Sequence, residues 1–468
     1  VGRAAMKKLH LIDDTFLRIE SRNQPMHIGM LMLFEPPANA PEDFAGRIVR
    51  KLRQSDSAAD LFNQLLVEKR GAHYWEENEE FDLDHHFVHL ALPRPGRIRE
   101  LLGMVSRLHC GHIDRAYPLW RVYLIEGIEG GRIAIYMKIH HSMIDGMSGM
   151  QMLIGSMSTS RAESKRLPPF WEIERPGINE KKVPVVPAPA VNDWIKMRSV
   201  AREGWRSAMP VIRKLRKTFK DFQKKHPDVA MIGEAPKCVF NQPISGTRRF
   251  SAQSYETRRI KSVARALDAT SNDVILAMVS GALRQYLLVR DELPDTPLTA
   301  GVPVSVRTSE SGGGAANQVA SVITNLATHM DDPIERMRAI KSGMDYNKAQ
   351  LNGLTAGQVQ AYSSLAMIPG ALNVLLGRKP GNTLGNVVVS HVPGPKKTLY
   401  WQGAKLTGVY PISLLITPGG LNITIVSRND TVDFGIIACR KTVPHAQRLL
   451  DYLEDALTEL ESRVSPAG

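Results

Sequence analysis

The stretch HHSMIDG, His140 to Gly146, follows a run from Arg132 to Ile139 in which apolar and other side chains alternate, and its reading decides the fold. Alternation at period two marks 132–139 as a strand, and the similar run Trp120 to Glu126 precedes it. Gly127-Ile128-Glu129-Gly130-Gly131 joins the two into a hairpin, and a helix is expected from about Met147. Parity then assigns the histidines. Ile133, Ile135, Met137, Ile139 and His141 share one face, whereas His140 falls with Tyr136 and Lys138. The imidazoles therefore point apart, which argues against chelation of one metal, and no third ligand cluster of usable spacing accompanies them.

His141, placed on the buried side at a strand end beside a loop, suits a general base whose ordinary pKa lies near neutrality. The competing reading is a satisfied core histidine. Asp145 and Gly146 favour the base. A loop closing on Asp-Gly returns a carboxylate to the strand end, where it fixes an imidazole tautomer or pins an arginine, and Gly146 permits reversal and close approach. A second pair, His85-His86, is followed by FVHLALP with no Asp-Gly, so His85, His86 and His89 are read as structural or surface residues of a strand.

Working outward, 468 residues suffice for two domains at roughly 100–200 residues each. A hydrophobic share of 43% with 23% charged residues is ordinary globular composition and excludes wholesale disorder. The Pro-rich stretch 166–190 reads as a linker, dividing the chain into an N-terminal lobe (6–165), a linker with a basic connecting helix (166–235) and a C-terminal lobe (236–468). In that second lobe Ile275, Met278, Val279, Ala282, Leu283 and Tyr286 recur at helical spacing after the cap candidate Ser271. Strands are expected at 298–306, 318–328, 386–391, 422–426 and 432–438, and a last helix at 445–464. The lobes are thus both mixed α/β.

Sixty Lys and Arg against 47 Asp and Glu give +13, of which the segment Lys196 to Lys225 carries +9. Its apolar residues, from Trp194 and Met197 to Ile212, Leu215 and Phe219, form a helical stripe. Pro210 is expected to kink it. This connector is either a linking helix with a solvated basic face or an interfacial helix for an anionic membrane. A basic nucleic-acid helix would need a dimerising heptad beyond it, which Pro227 interrupts. Three scattered cysteines and the absence of an apolar core in Val1–Lys8 fit a reducing, cytoplasmic setting. The longest charge-free stretch, 349–377, contains Asn352, Gln358, Gln360 and Pro369 and is a poor membrane span. No G-x-S-x-G elbow, P-loop or dinucleotide fingerprint occurs, which disfavours serine hydrolases and nucleotide-binding enzymes.

HHSMIDG resembles the HHxxxDG motif of the CoA-dependent acyltransferase superfamily, shared by chloramphenicol acetyltransferase and peptide-synthetase condensation domains. With PMHIG (Pro25–Gly29), PLW (Pro118–Trp120), SND (Ser271–Asp273) and NVVVSHVPGP (Asn386–Pro395), the chain resembles the bacterial wax ester synthase/diacylglycerol acyltransferase family from about Lys8 to Val464. His391 departs from the pattern, which more often has Asn there.

The resemblance implies two chloramphenicol-acetyltransferase-like lobes with mixed sheets and an active-site tunnel between them. It implies transfer of a long-chain acyl group from acyl-CoA to a fatty alcohol or diacylglycerol, acyl-CoA being a substrate and no metal or other cofactor being expected. The family's base falls on His141, in agreement with parity, and His140 and Asp145 fall on supporting positions. Asn272, Ser390 and Gly146 are supporting or oxyanion candidates, and Pro118, Leu119, Trp120 and Asp273 are motif or tunnel candidates. For Trp120 the alternative is core packing. Asn272 and Asp273 alternatively cap their helix, and Ser390 alternatively serves structure. The rival activities are a condensation-type transfer from carrier-bound acyl groups and a non-enzymatic basic binding protein. The expected location is cytoplasmic, with peripheral contact at the inner membrane face or lipid droplets.

Overall fold

The computed structural model describes residues 6–144, 146–174, 209–218, 220–221, 224, 226, 229–230, 235–306, 318–355, 357–359, 362 and 385–464. In chain order the strands are β1 Lys7–Lys8, β2 His27–Glu35, β3 Gln64–Lys69, β4 Ala72–Glu77, β5 Phe87–Ala91, β6 Trp120–Ile128, β7 Arg132–His140, β8 Arg248–Glu256, β9 Thr299–Val306, β10 Gln318–Asn325, β11 Val387–Pro393, β12 Tyr400–Trp401, β13 Ala404–Ile412, β14 Leu421–Ser427 and β15 Thr431–Cys439. The helices are α1 Leu11–Ile19, α2 Phe44–Leu52, α3 Leu83–His86, α4 Ile98–Cys110, α5 Gly146–Gly155, α6 Arg161–Ser164, α7 at 209–218, α8 Thr257–Ala266, α9 Ser271–Leu288, α10 Pro333–Leu351 and α11 Arg448–Val464.

Two compact units result, and each draws on separated stretches of chain. The first comprises Val1–Pro176, Gln242–Arg259 and His391–Leu450; the second comprises Gly177–Asn241, Ile260–Ser390 and Asp451–Gly468. The contiguous boundaries expected at 165 and 235 differ from this division because strand pairing overrides chain order. β13 pairs with β2 (Lys405↔Glu35 to Ile412↔Gly29), and β15 pairs with β8 along its whole length.

The first unit is built on a six-stranded mixed sheet, β12-β13-β2-β7-β6-β5, in which β5–β6 is parallel and the other pairs antiparallel. The predicted hairpin is β6–β7, one residue longer on β7 and two on β6 than alternation indicates. Apolar clusters cover both faces. Ile133, Ile135, Met137 and Ile139 lie in one cluster with α2 and α5 residues such as Ile48, Val49 and Leu153. Ala134 and Tyr136 lie in the other with Leu101 and Val105 of α4 and Phe250 of β8. This two-sided burial explains why β7 reads as an almost unbroken apolar run. On the second face β15 and β13 touch through their backbones: a Cβ at Gly435 would lie 1.9 Å from the Pro411 carbonyl oxygen, so no larger residue fits.

In the second unit α9 is apolar nearly all round, and every residue from Asp273 to Leu283 is buried. Its N-cap is Thr270, not the expected Ser271. The Thr270 side chain accepts the Asp273 N–H while Asp273 reaches back to the Thr270 N–H, a reciprocal capping box that Ser271, already the first helical residue, does not make. β9 pairs antiparallel with β10 and parallel with β11.

Only the latter part of the basic connector, α7, is described; Trp194, Met197, Trp205 and Phe219 lie outside the described residues. It packs on the C-terminal end of α10. Lys214 Nζ donates to the Ala349 and Asn352 carbonyls at 3.1 and 2.6 Å, filling orphan acceptors at a helix end. The helix is rotated from the predicted stripe: Val211 is buried, Ile212 is 41% exposed, and Thr218 Oγ1 lies 3.3 Å from Tyr362 OH.

Candidate active site

β7 ends at His140, and the turn 141–143 carries the chain to α5. The His140 ring is buried. Its backbone N–H donates to the Leu119 carbonyl (2.9 Å), so the Pro118-Leu119-Trp120 segment holds the motif by its backbone. Nδ1 of His140 accepts the Ser142 backbone N–H at 3.2 Å and lies 2.7 Å from Ser142 Oγ. An accepting Nδ1 places the proton on Nε2, which faces Glu20 Oε1 at 3.6 Å.

Glu20 is the residue that sequence reasoning missed. It follows α1 as its C-cap, and its side chain is only 8% exposed. Oε1 accepts the Met26 backbone N–H (3.0 Å) and Oε2 accepts Arg115 Nη2 (2.8 Å), with His112 Nδ1 at 3.6 Å from Oε1. Burial pushes this carboxyl up, but the His140 ring beside it and the hydrogen bonds from Met26 and Arg115 together hold it well below the ordinary carboxylate range. It is an ionised carboxylate in the interior, beside the buried histidine of the motif. A lone acid behind an amphipathic helix carries no sequence signal of such a role.

His141 stands just beyond the strand end and is half-buried, whereas His140 is buried; the expected burial of His141 is thereby corrected, because the strand stops one residue before it. Its N–H donates to the Met26 carbonyl (2.8 Å), and its ring packs on Phe16 of α1 with centroids 4.3 Å apart and planes 32° off parallel. Met26 thus serves both histidines, its N–H through Glu20 and its carbonyl directly.

Beneath the motif a buried polar layer extends from β2. His27, opposite His140 in the β2–β7 register, has Nε2 2.7 Å from the His109 carbonyl. His109 Nδ1 meets Tyr136 OH at 2.8 Å, and Lys138 Nζ donates to the Leu108 and Gly111 carbonyls at the end of α4. Burial pushes His109 down to about 3 and Lys138 down to about 8, so both histidines of this layer, His27 included, are held neutral.

Trp120 is fully buried. Its Nε1 donates to the Phe62 carbonyl (2.8 Å) and its ring stacks on His86 at 4.2 Å, in a cluster with Trp171 and Phe170, which is the packing alternative. Pro118 and Leu119 are buried beside it. Gly146 opens α5 and is exposed, and a Cβ there would meet nothing within 4 Å, so the expected close approach is absent. Asp145 lies outside the described residues.

Three candidates belong to the second unit. Asn272 is half-buried in the first turn of α9, Asp273 is fully buried in the capping box, and Ser390 is half-buried on β11. For Asp273 the capping alternative is thus the observed one. In the first unit His391 Nε2 lies 2.6 Å from Ser427 Oγ, and a Cβ at Gly394 would sit 2.5 Å from Val426, which accounts for the glycine between Pro393 and Pro395. Among the described residues no group of three His, Cys, Asp or Glu side chains is placed to hold a metal ion.

A hairpin of a mixed sheet that ends in a buried and a half-exposed histidine, in a two-unit α/β fold, fits what the resemblance of HHSMIDG to the CoA-dependent acyltransferase motif implies. Comparison with known proteins agrees. Residues 9–275 match the wax ester synthase/diacylglycerol acyltransferase catalytic domain, and residues 315–461 match the C-terminal domain of the same enzymes. The chain is 41% identical over 462 residues to the O-acyltransferase WSD of Acinetobacter baylyi, covering 98% of each, and 39% identical to a probable diacylglycerol O-acyltransferase, tgs2, of Mycobacterium tuberculosis, covering 97% and 98%. Among solved structures it superposes on the wax ester synthase/diacylglycerol acyltransferase from Marinobacter aquaeolei VT8 with a TM-score of 0.78 and 38% identity, over 98% of this chain and 99% of that one. The starter condensation domain of rhizomide synthetase shares the fold at 12% identity (TM-score 0.57, over 99% of this chain and 95% of that one). The chain belongs to the wax ester synthase/diacylglycerol acyltransferase family.

Proposed function

We propose that this chain is an O-acyltransferase that moves a long-chain fatty acyl group from acyl-CoA to a fatty alcohol, giving a wax ester, or to diacylglycerol, giving triacylglycerol, with His141 as the general base. The observation that carries the assignment of the base is the contrast within the motif. His140 is buried with both ring nitrogens turned to protein groups, whereas His141 alone of the two is half-exposed, seated on Phe16 and held by Met26.

The steps balance without a covalent enzyme intermediate. Neutral His141 takes the alcohol proton as the oxygen attacks the thioester carbonyl. The tetrahedral adduct collapses with cleavage of the C–S bond, and the imidazolium returns its proton to the departing CoA sulfur. The oxyanion requires donors set for the tetrahedral state, for which Asn272, Ser390 and backbone N–H groups are the candidates, with Asp145 supporting the loop. This chemistry uses side chains and the thioester alone, so acyl-CoA enters as a substrate.

The test offers acyl-CoA with hexadecanol and with diacylglycerol separately and identifies products by mass. Folded His141→Ala is expected to lose both; wild-type-like turnover in that variant would remove the base assignment. Turnover of free acyl-CoA also separates this reading from a strict carrier-dependent condensation.

A peripheral membrane contact is supported by α7, which exposes Met209 and Ile212 beside Arg213 and Arg216, with the exposed Lys220 just beyond it. Among the described residues no helix is long and apolar enough to cross a membrane. Replacing Arg213 and Arg216 by Glu is expected to weaken sedimentation with anionic liposomes at least about thirtyfold at low salt, each basic residue contributing about 1 kcal/mol; unchanged sedimentation would leave α7 as a connector only.

A further inference from the structure

We infer that α1 is the positioning element of the two-histidine motif: Phe16 and Glu20, one turn apart, set the ring of His141 and the charge beside His140. The inference rests on the reading of His141 as the base and adds two residues to it. Phe16 and Glu20 stand at i and i+4, hence on one side of the helix. The other side is tied down. Asp14 Oδ1 meets His73 Nδ1 at 2.5 Å, Arg18 Nη2 donates to the Gly71 carbonyl at 2.7 Å, and Arg18 Nε bonds Asp14 at 2.6 Å. These contacts clamp α1 to the β3–β4 hairpin, and buried Leu17 enters the main core cluster. A helix held so firmly by one side presents the other as a rigid surface.

Each of the two side chains does something packing alone does not require. An ionised carboxylate in the interior is costly unless its charge is answered, and the groups that face Glu20 are His140 from β7, His112 and Arg115 from the segment after α4, and the Met26 N–H. Ser142 at Nδ1 sets the tautomer of His140, and its Nε2 edge faces Glu20 at 3.6 Å, where the carboxylate acts on the ring through its charge. Phe16 covers one face of the His141 imidazole at van der Waals separation, which limits ring rotation and keeps water from that face. Its remaining, half-buried surface is apolar and adjoins the base.

The experiment compares Glu20→Gln, the double variant Glu20→Gln/Arg115→Gln, Phe16→Ala and Phe16→Leu with the full-length wild type and with His141→Ala. Glu20→Gln keeps the shape and removes the charge. It is expected to lower kcat about 10–100-fold with little change in KM for acyl-CoA, and to move the acid limb of the kcat/KM profile to lower pH, since loss of a neighbouring anion disfavours an imidazolium. The double variant also removes the exposed Arg115 guanidinium that pairs with Glu20, and is expected to keep the thermal stability of Glu20→Gln while kcat stays low. Phe16→Ala is expected to lose about tenfold in kcat and Phe16→Leu to restore most of it.

A wild-type pH limb and kcat in Glu20→Gln and Phe16→Ala would overturn the inference, as would recovery of kcat in the double variant, which would make Glu20 a structural partner of Arg115. If instead His141→Ala keeps its turnover, the base reading itself fails, whatever the α1 variants do.

Discussion

The molecule contains two histidine pairs, and nearly everything that separates a structural pair from a reactive one is visible between them. His85-His86 closes the short helix α3, not a strand as its sequence suggests. His85 lies flat on Tyr117 with centroids 3.4 Å apart, and His86 is stacked on Trp120 with Nδ1 2.9 Å from the Trp120 carbonyl. Burial pushes His86 down to about 4, so it is a neutral aromatic filler at physiological pH. His140-His141 is also half inside, but the buried member faces an ionised carboxylate and the outer member is half-exposed. The pairs are neighbours in the fold, since Trp120 stacks on His86 while its predecessor Leu119 holds the His140 N–H. His85 is half-buried like His141 and has Arg121 Nη2 3.4 Å from its Nε2, so what separates the pairs is the sign of the charge they meet, a guanidinium beside His85 and a carboxylate beside His140.

Four measurements would break or sharpen that contrast. The largest effect is expected from His141→Ala, about 10²–10⁴-fold in kcat, the ordinary contribution of a positioned base. His85→Ala, in the other pair, should leave turnover within about twofold, so equal losses in the two variants would erase the distinction. Next comes Trp120→Ala, which empties the centre of the aromatic cluster and is expected to cost about 3–5 kcal/mol by denaturant unfolding. A loss under about 1 kcal/mol would mean that the PLW tryptophan is not the packing anchor described above.

Third, Glu20→Gln tests whether the carboxylate is what distinguishes the motif, by the shift of its acid limb. The smallest effect is a pH dependence of stability. His86 has a folded pKa below its unfolded value near 6.5, so the unfolded chain binds its proton first; the stability it supports is present above about 6.5 and lost as pH falls toward 4. His86→Phe is therefore expected to flatten the stability–pH curve in that window by up to one proton. An unchanged slope would show that His86 does not titrate differently on folding.

Much of the fold is legible in the sequence where a single periodicity dominates. The β6–β7 hairpin, the buried face of α9, the β14–β15 hairpin and the closing helix α11 all fall within a few residues of where alternation or helical spacing puts them. Parity also sorted the β7 side chains correctly into two sets, since Ile133, Ile135, Met137 and Ile139 do share a cluster that Ala134 and Tyr136 do not enter. It misjudged His141 because alternation holds only while the strand lasts. The α9 cap was misplaced by one residue for a related reason: Thr270, Ser271 and Asn272 are all good caps locally, and only the reach of Asp273 back to Thr270 selects among them. The α7 stripe differs because Val211 and Ile212 are equally apolar neighbours, and only tertiary packing decides that Val211 is the one covered.

Local chemistry thus determined by itself the strands, the helices and the loop that carries two adjacent histidines, because those depend on neighbours a few residues apart. The tertiary structure alone decided which histidine is buried beside Glu20 and which is half-exposed. Glu20 stands 120 residues before His140 and Arg115 lies 95 residues beyond Glu20. No periodicity spans such distances. Only the packing of α1 against the end of β7 brings the carboxylate to the imidazole, and the low polarity there makes their interaction strong enough to matter.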